Sequence, residues 1–229
     1  MKIGILIQGS ITEWTPHIIN EYKENFSEAE ILLSTWDDED IDNIECGIIQ
    51  SEVPKKTFPH ESNVNFQIKG VKEGLKKMNA DVVLKTKTNQ FIHNRKIFDI
   101  FERDCKESQI MTTELNSWNN TTFIDMFEKN SWNDRDYRIT DFCQLAKKEV
   151  LEDYWYNMPY FDGTFATSPE VYLTKNYVVN FKKDTRPWSD IINEYFCLKD
   201  YFTDFDIEFE KFVNDELKQE WLKRTVSEL

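Results

Sequence analysis

The chain has 229 residues, 14% of them aromatic (17 Phe, 9 Tyr, 7 Trp), a payload that fills a sizeable core and excludes wholesale disorder. Only 6 Gly and 6 Pro are present, which excludes collagen-like and linker-dominated chains. Against 28 basic residues stand 42 acidic ones, net −14, the wrong sign for coating nucleic acid or an anionic membrane, although a few local lysines suffice to hold a phosphate-bearing small ligand.

No apolar run reaches the roughly 18 to 20 residues that span a bilayer. The apolar stretch at 2–7 is too short for a signal peptide and has no A-x-A site after it. It reads as a strand buried on both faces, ended by Gln8-Gly9-Ser10. Thr15 as N-cap and Pro16 at the first helical position open a helix with Ile18, Ile19, Tyr22 and Phe26 on its apolar side. Residues 30–36 form the next strand, completing a βαβ unit. An acidic cluster covers 37–42, a short third strand 44–51, and a Pro/Lys loop 53–60. A helix is expected over 63–78, a strand over 81–86, a helix over 96–106 and a strand over 109–115. This alternation predicts an α/β fold: one domain with an open, mostly parallel sheet and helices on both faces.

The second half is less regular. Residues 117–137 read as a long loop or lid, 137–142 as a strand and 147–158 as a helix. Ser168-Pro169-Glu170 opens another helix, with Ser168 as N-cap. The tail 206–227 is amphipathic, with Phe209, Phe212, Leu217, Trp221 and Leu222 on one side. Cys46, Cys105, Cys143 and Cys197 are far apart without a C-x-x-C pair, which predicts free thiols and a cytoplasmic protein. The sequons at 119–122 carry little weight without a secretory signal.

Ligands of open α/β sheets bind outside the carboxyl ends of the strands. Gln8-Gly9-Ser10, Thr35-Trp36-Asp37 and Lys85-Thr86-Lys87-Thr88-Asn89-Gln90 stand at such ends, and Asn63, Asn65 and Gln67 line the start of the helix between them. Amides read base edges and ribose hydroxyls, an aromatic stacks a base, and lysines neutralise phosphates. Each piece also has a plain reading. Gln8-Gly9 is a polar strand end with a turn glycine, Trp36 a cap on the sheet, Lys85/Lys87 a lysine-protected edge, and Asn63/Asn65 helix caps.

In combination, I-Q-G-S, I-L-L-S-T-W, N-x-N-x-Q and V-L-K-T-K-T-N-Q resemble the WavE-like lipopolysaccharide-synthesis family, a branch of the glycosyltransferases with the nucleotide-sugar-binding GT-A fold. Order and spacing agree over 3–90, and weaker similarity continues through 139–142 and 168–173. The resemblance implies a nucleotide-sugar-binding half, 1–115, and an acceptor half, 116–229. It implies that Gln8, Gly9 and the adjoining Ser10 line the base and ribose of the donor, with Trp36 beside them. Asn63, Asn65 and Gln67 would face the donor from the helix, and Lys85 and Lys87 would approach its diphosphate. The family strand ends in K-x-R-x-D, whose Asp binds a metal; here Lys87 replaces the Arg and Asn89 the Asp. An amide oxygen is a weak, neutral ligand for Mg²⁺ or Mn²⁺. Three readings follow: a weakly held divalent cation at Asn89, lysines that neutralise the diphosphate without one, or an inactive protein.

Sugar transfer needs stabilisation of the leaving nucleoside diphosphate and, for inversion, a carboxylate that takes the acceptor's proton. Glu170 is the first candidate base, against a reading as ordinary first-turn dipole compensation. Asp141 is the second, and Asp162 before Gly163 a third that also suits a turn. His17, His60 and His93 lack zinc-helix spacing, and the chain has no G-x-S-x-G, Walker loop, G-x-G-x-x-G or G-x-G-x-R. The aromatics at 132–137 and 154–160 suit either an acceptor platform or core. The expected function is inverting transfer of a sugar from a nucleotide-diphosphate donor to a hydroxyl of a surface glycan, lipopolysaccharide or capsule. The alternatives are a non-catalytic nucleotide- or glycan-binding module, or a scaffold of a glycan-assembly complex docking through its C-terminal helix. Expected partners are a nucleotide-sugar donor and a glycan acceptor, with no nucleic acid and at most peripheral membrane contact; the sequence leaves the oligomeric state open.

Overall fold

The computed structural model describes residues 1–113 and 136–210. The apolar run near the start is β1 (Ile3–Gln8), central in a seven-stranded sheet. β2 (Glu30–Trp36) and β4 (Val82–Lys87) flank it, both parallel to it, and β3 (Gly47–Ser51) extends the sheet beyond β2. On the other side come β7 (Gln144–Lys147), then β6 (Ile110–Thr113) and β8 (Phe196–Lys199), giving the order β3-β2-β1-β4-β7-β6-β8. Only β7 runs against the rest. β5 (Gln90–Ile92) and β9 (Ile207–Phe209) form a separate antiparallel pair.

Alternation along the buried strands divides the core. Ile5, Ile7, Leu33 and Leu84 face α1 (Thr15–Asn25) and α3 (Ile97–Asp104). Leu6, Leu32, Val83 and Ala146 face α2 (Val64–Lys77), α4 (Lys148–Tyr156), α5 (Pro169–Lys175) with the π-turn 176–181 after it, and α6 (Trp188–Tyr195). The open, mostly parallel sheet with helices on both faces is therefore the fold found. α2 lies close on β1 because Gly74 leaves room for Leu6 and Gly70 for Gln8.

Several local expectations are corrected. Thr15 is inside α1, and its hydroxyl donates to the carbonyl of Thr88 (2.9 Å). Residues 137–142 form no strand. Thr140 and Cys143 carbonyls accept from the Thr112 hydroxyl and the Asp141 carbonyl from the Lys85 ammonium, so side chains take acceptors that a ladder would use. The strand begins instead at Gln144 and runs to Lys147, shortening the predicted helix at its start. Cys105 and Cys197 are disulfide-bonded, tying the end of α3 to β8; Cys46 and Cys143 are free. The separation of 92 residues hid that pairing, since sequence spacing says nothing of spatial approach. The predicted amphipathic tail begins with β9, which buries Phe209, and its remainder lies outside the described residues. The predicted lid at 117–137 also lies outside them except for its last two residues. Among the described residues no helix is long and apolar enough to cross a membrane.

Candidate active site

Gln8 and Lys87 stand opposite each other in the β1–β4 register, at the carboxyl ends of both strands. The chain leaves β1 toward β2 on one side while β4 lies on the other, so this is the crevice position of an open sheet. Period-two alternation puts Gln8, Lys85 and Lys87 on the α2 side, one residue pair apart along the pleat. Asp141 precedes the antiparallel β7, whose start pairs with the end of β4 (Lys85 with Gln144). Its carboxylate lies 3.1 Å from the Lys87 ammonium, and its carbonyl accepts from the Lys85 ammonium at 2.5 Å. The Gln67 amide, one turn into α2, also bonds the Asp141 carboxylate.

Glu170 enters the same group from the first turn of α5. Ser168 is the N-cap that the sequence indicates, accepting from the Val171 amide. The Ser168 side chain also bonds the Glu170 carboxylate. Burial raises Glu170 above the usual carboxylate range, and the charge of Asp141 raises it further. Burial acts on Asp141 in the same direction. The Lys87 and Lys85 charges outweigh it, with hydrogen bonds from Lys87 and Gln67, and hold Asp141 below its ordinary value. The two carboxyl groups are thus driven in opposite directions.

Lys85 has no exposed surface. Burial, then the charge of Lys87, pushes its ammonium down to about 7, against the pull of Asp141. It sits 5.6 Å from the Trp155 ring, and Trp155 donates to Gln144 at 2.8 Å. Sequence reasoning passes over Gln144 and takes Trp155 only as one of the aromatics at 154–160, where the structure makes it core, because nothing in their spacing connects either to Lys85. Lys87 is the more accessible cation, over the Phe142 ring at 4.9 Å with 19% of its side chain exposed.

The other expected donor contacts divide. Gly9 has φ of +138°, and a Cβ there would meet the Thr88 hydroxyl at 2.8 Å, so the turn requires glycine. Ser10 is exposed beside it, and Asn63 is the N-cap of α2 without a side-chain capping bond. Gln67 keeps a buried carbonyl oxygen without a partner. Trp36 is buried edge-on against Phe66, with centroids 5.4 Å apart, and offers no open face. Asn65 is committed elsewhere: its amide donates to the Phe161 carbonyl (2.8 Å) and accepts from the Phe161 amide (2.7 Å). Asp162 is a turn residue, its carboxylate accepting from the amide and hydroxyl of Thr164.

A divalent cation fits these residues poorly. Asn89 brings a neutral amide on the turn after β4, and Asp141 is already paired with Lys87. Among the described residues no three His, Cys, Asp or Glu side chains converge. The donor set is that of an anion site rather than a hard-cation cage.

A six-to-one parallel sheet of this order, with lysines, amides and two carboxyl groups at its crevice, has the GT-A fold of nucleotide-diphospho-sugar transferases. Glucosyl-3-phosphoglycerate synthase from Mycobacterium tuberculosis, solved with Mn²⁺, uridine diphosphate and phosphoglyceric acid, superposes with a TM-score of 0.53 at 10% identity over 99% of this chain and 78% of that one. A glycosyltransferase involved in glycosylation of the major capsid of PBCV-1 gives 0.52 at 10% identity over 97% of this chain and 100% of that one. Likeness at such identity establishes the fold alone. Residues 3–199 match the WavE lipopolysaccharide synthesis family, and the chain belongs to it. The search of curated protein sequences found no match.

Proposed function

We propose that the protein transfers a sugar from a nucleotide-diphosphate donor to a hydroxyl of a surface glycan, with inversion at the anomeric carbon. The observation that carries this reading is the Asp141 carboxylate 3.1 Å from the Lys87 ammonium at the strand-end crevice of a GT-A sheet, with Glu170 in the first turn of α5 near enough to feel the Asp141 charge. In this reading residues 1–115 build the donor half, and residues 116–229 the acceptor half. Gln8, Gly9, Ser10 and Asn63 border the base and ribose. Gln67 offers its unpartnered carbonyl to a donor hydroxyl. Asn65 and Trp36 support the site from behind rather than touch the donor.

The chemistry follows from the charges. Glu170 takes the proton of the acceptor hydroxyl as that oxygen bonds the anomeric carbon. The bond from that carbon to the diphosphate oxygen breaks on the opposite side, and its electron pair leaves with the phosphate. Lys87 stabilises the growing negative charge, while Lys85 and Asp141 fix its position. Burial keeps Glu170 basic enough to accept the proton, whereas Asp141 stays an ionised anchor. No step is routed through a metal. Action in the cytoplasm belongs to this reading on surface charge and the free Cys46 and Cys143; the Cys105–Cys197 bond counts against it.

A non-catalytic nucleotide-binding module is the second reading, favoured by the amide at Asn89. Thermal shift with UDP, GDP, CMP, TDP and ADP, each with and without Mn²⁺, followed by turnover of the stabilising donor class, separates them. A ligand at 100 times its Kd adds about 2.7 kcal/mol. Glu170→Gln should keep that shift and lose on the order of 10² to 10⁴ in turnover. Silence across the panel, or an unimpaired Glu170→Gln, would overturn the transferase reading.

A further inference from the structure

We infer that Phe58 and Phe165 form a stacking platform for a pyranose ring of the acceptor glycan, at the edge of the Glu170 helix start; this rests on the transferase reading above. Phe58 is 84% exposed and Phe165 51%; among the described residues most other aromatics are buried or half-buried, Tyr156 and Tyr160 being the other exposed rings. Burying a phenylalanine gains about 2–3 kcal/mol, a gain that Phe58 forgoes almost wholly and Phe165 in part.

Both loops are fixed. The Thr57 hydroxyl donates to the His60 carbonyl (2.6 Å) and accepts from the Ser62 amide (3.1 Å). The His60 amide donates to the Gly163 carbonyl (3.2 Å), which joins the Phe58 loop to the Phe165 loop. A Cβ at Gly163 would meet the backbone nitrogen of Phe58 at 2.6 Å, so the two segments lie against each other. The Phe165 ring rests 5.3 Å from Phe161 and 6.4 Å from Tyr172, and Tyr172 shares the first turns of α5 with Glu170. Asn65 holds the start of this segment through Phe161.

A pyranose presents a face of C–H groups, and the negative π-face of a fixed aromatic ring is its complement. Rigid loops make that contact without an ordering cost. The rim carries both signs, Lys55 and Lys56 with Glu61 and Asp162, rather than the basic cluster that an anionic membrane would select. The occupant is therefore a sugar ring, held on the side of the molecule where α5 begins.

The test uses the full chain, lipid-free core oligosaccharide released from lipopolysaccharide, and saturation-transfer NMR. Parent protein should saturate the oligosaccharide. Phe58→Ser and Phe165→Ser should each lose at least about tenfold in its affinity while keeping the parent's nucleotide thermal shift, which also verifies folding. Phe58→Ser touches a side chain almost wholly in water, so it isolates binding from stability. Absence of saturation in the parent, or equal binding by both variants, would overturn the platform. So would Phe58-dependent sedimentation with phosphatidylglycerol vesicles. A silent nucleotide panel with Phe-dependent oligosaccharide binding would leave the platform standing and remove the transferase reading.

Discussion

Asn65 and Phe161 exchange two hydrogen bonds, amide to carbonyl at 2.8 Å and carbonyl to amide at 2.7 Å, across 96 residues of chain. The side chain imitates one rung of a β-ladder and fastens α2 to the segment that leads into Glu170. Both backbone groups of Phe161 are buried there, so removing the amide leaves them unsatisfied. Asn65→Ala should cost about 1–3 kcal/mol in urea denaturation. Because the same bridge positions α5, turnover should fall by more than the folded fraction does, measured at a temperature where the variant is fully folded. A variant as stable as the parent would show that water replaces both bonds.

The opposed shifts of Asp141 and Glu170 predict a specific movement of the pH–rate profile. Burial is the larger cause of the raised Glu170 and the Asp141 charge the next. A base acts deprotonated, so the acidic limb of the parent should lie above the ordinary carboxylate range. Asp141→Asn removes the second cause and leaves the first. The limb of kcat/KM should move to lower pH while remaining above that range, even though overall activity falls with the loss of the Lys87 pair. An unmoved limb would remove Glu170 from the role of base.

Much of this was legible from local pattern. The buried runs at β1, β2 and β4, the α2 stripe and the Ser168-Pro169 start are encoded by neighbours within a few residues, where period and capping chemistry act. Lys85 and Lys87 were legible as a pair but not as different groups. Their separation depends on Trp155, Gln144 and Asp141, brought close only by the antiparallel β7. Asn65 read as a cap or a donor contact because its true partner is a backbone group far along the chain. The Cys105–Cys197 bond was illegible for the same reason. The strand expected at 137–142 failed because apolar, β-branched composition indicates burial, and here burial comes without a ladder.

Lys85 makes stability depend on pH in a direction opposite to most lysines. Its ammonium is pushed down to about 7 in the folded chain from an unfolded value of 10.5. Between those values the unfolded chain holds a proton that the folded one lacks, so stability rises with pH, by up to about 1.4 kcal/mol per unit. Below about 7 the folded state must carry the buried charge, and that gain is absent. Lys85→Met abolishes the term. Plotted from pH 7 to 9.5, the difference between parent and variant in denaturant unfolding should close or reverse in the parent's favour as pH rises. Parallel curves would mean that Lys85 stays protonated throughout, held by the Asp141 carbonyl and the Trp155 ring.

Gly70 gives the most direct test of how the donor edge is packed. Alanine normally improves a helix interior by about 1 kcal/mol over glycine. Here its Cβ would meet Gln8 Cγ at 2.7 Å and Nε2 at 3.0 Å, and Gln8 is buried with little room to withdraw. The Ser34 hydroxyl also bonds the Gly70 carbonyl at 2.7 Å, which resists sliding of α2 away from the sheet. Overpacking of about 1–3 kcal/mol should therefore outweigh the propensity gain, and Gly70→Ala should destabilise. Pairing it with Gln8→Ala opens the space that the methyl needs. The double variant should be more stable than the sum of the single effects predicts, by about 0.5–3 kcal/mol. Additive effects would mean that Gln8 leaves α2 freely, and that its side chain is mobile at the crevice rather than held against the helix.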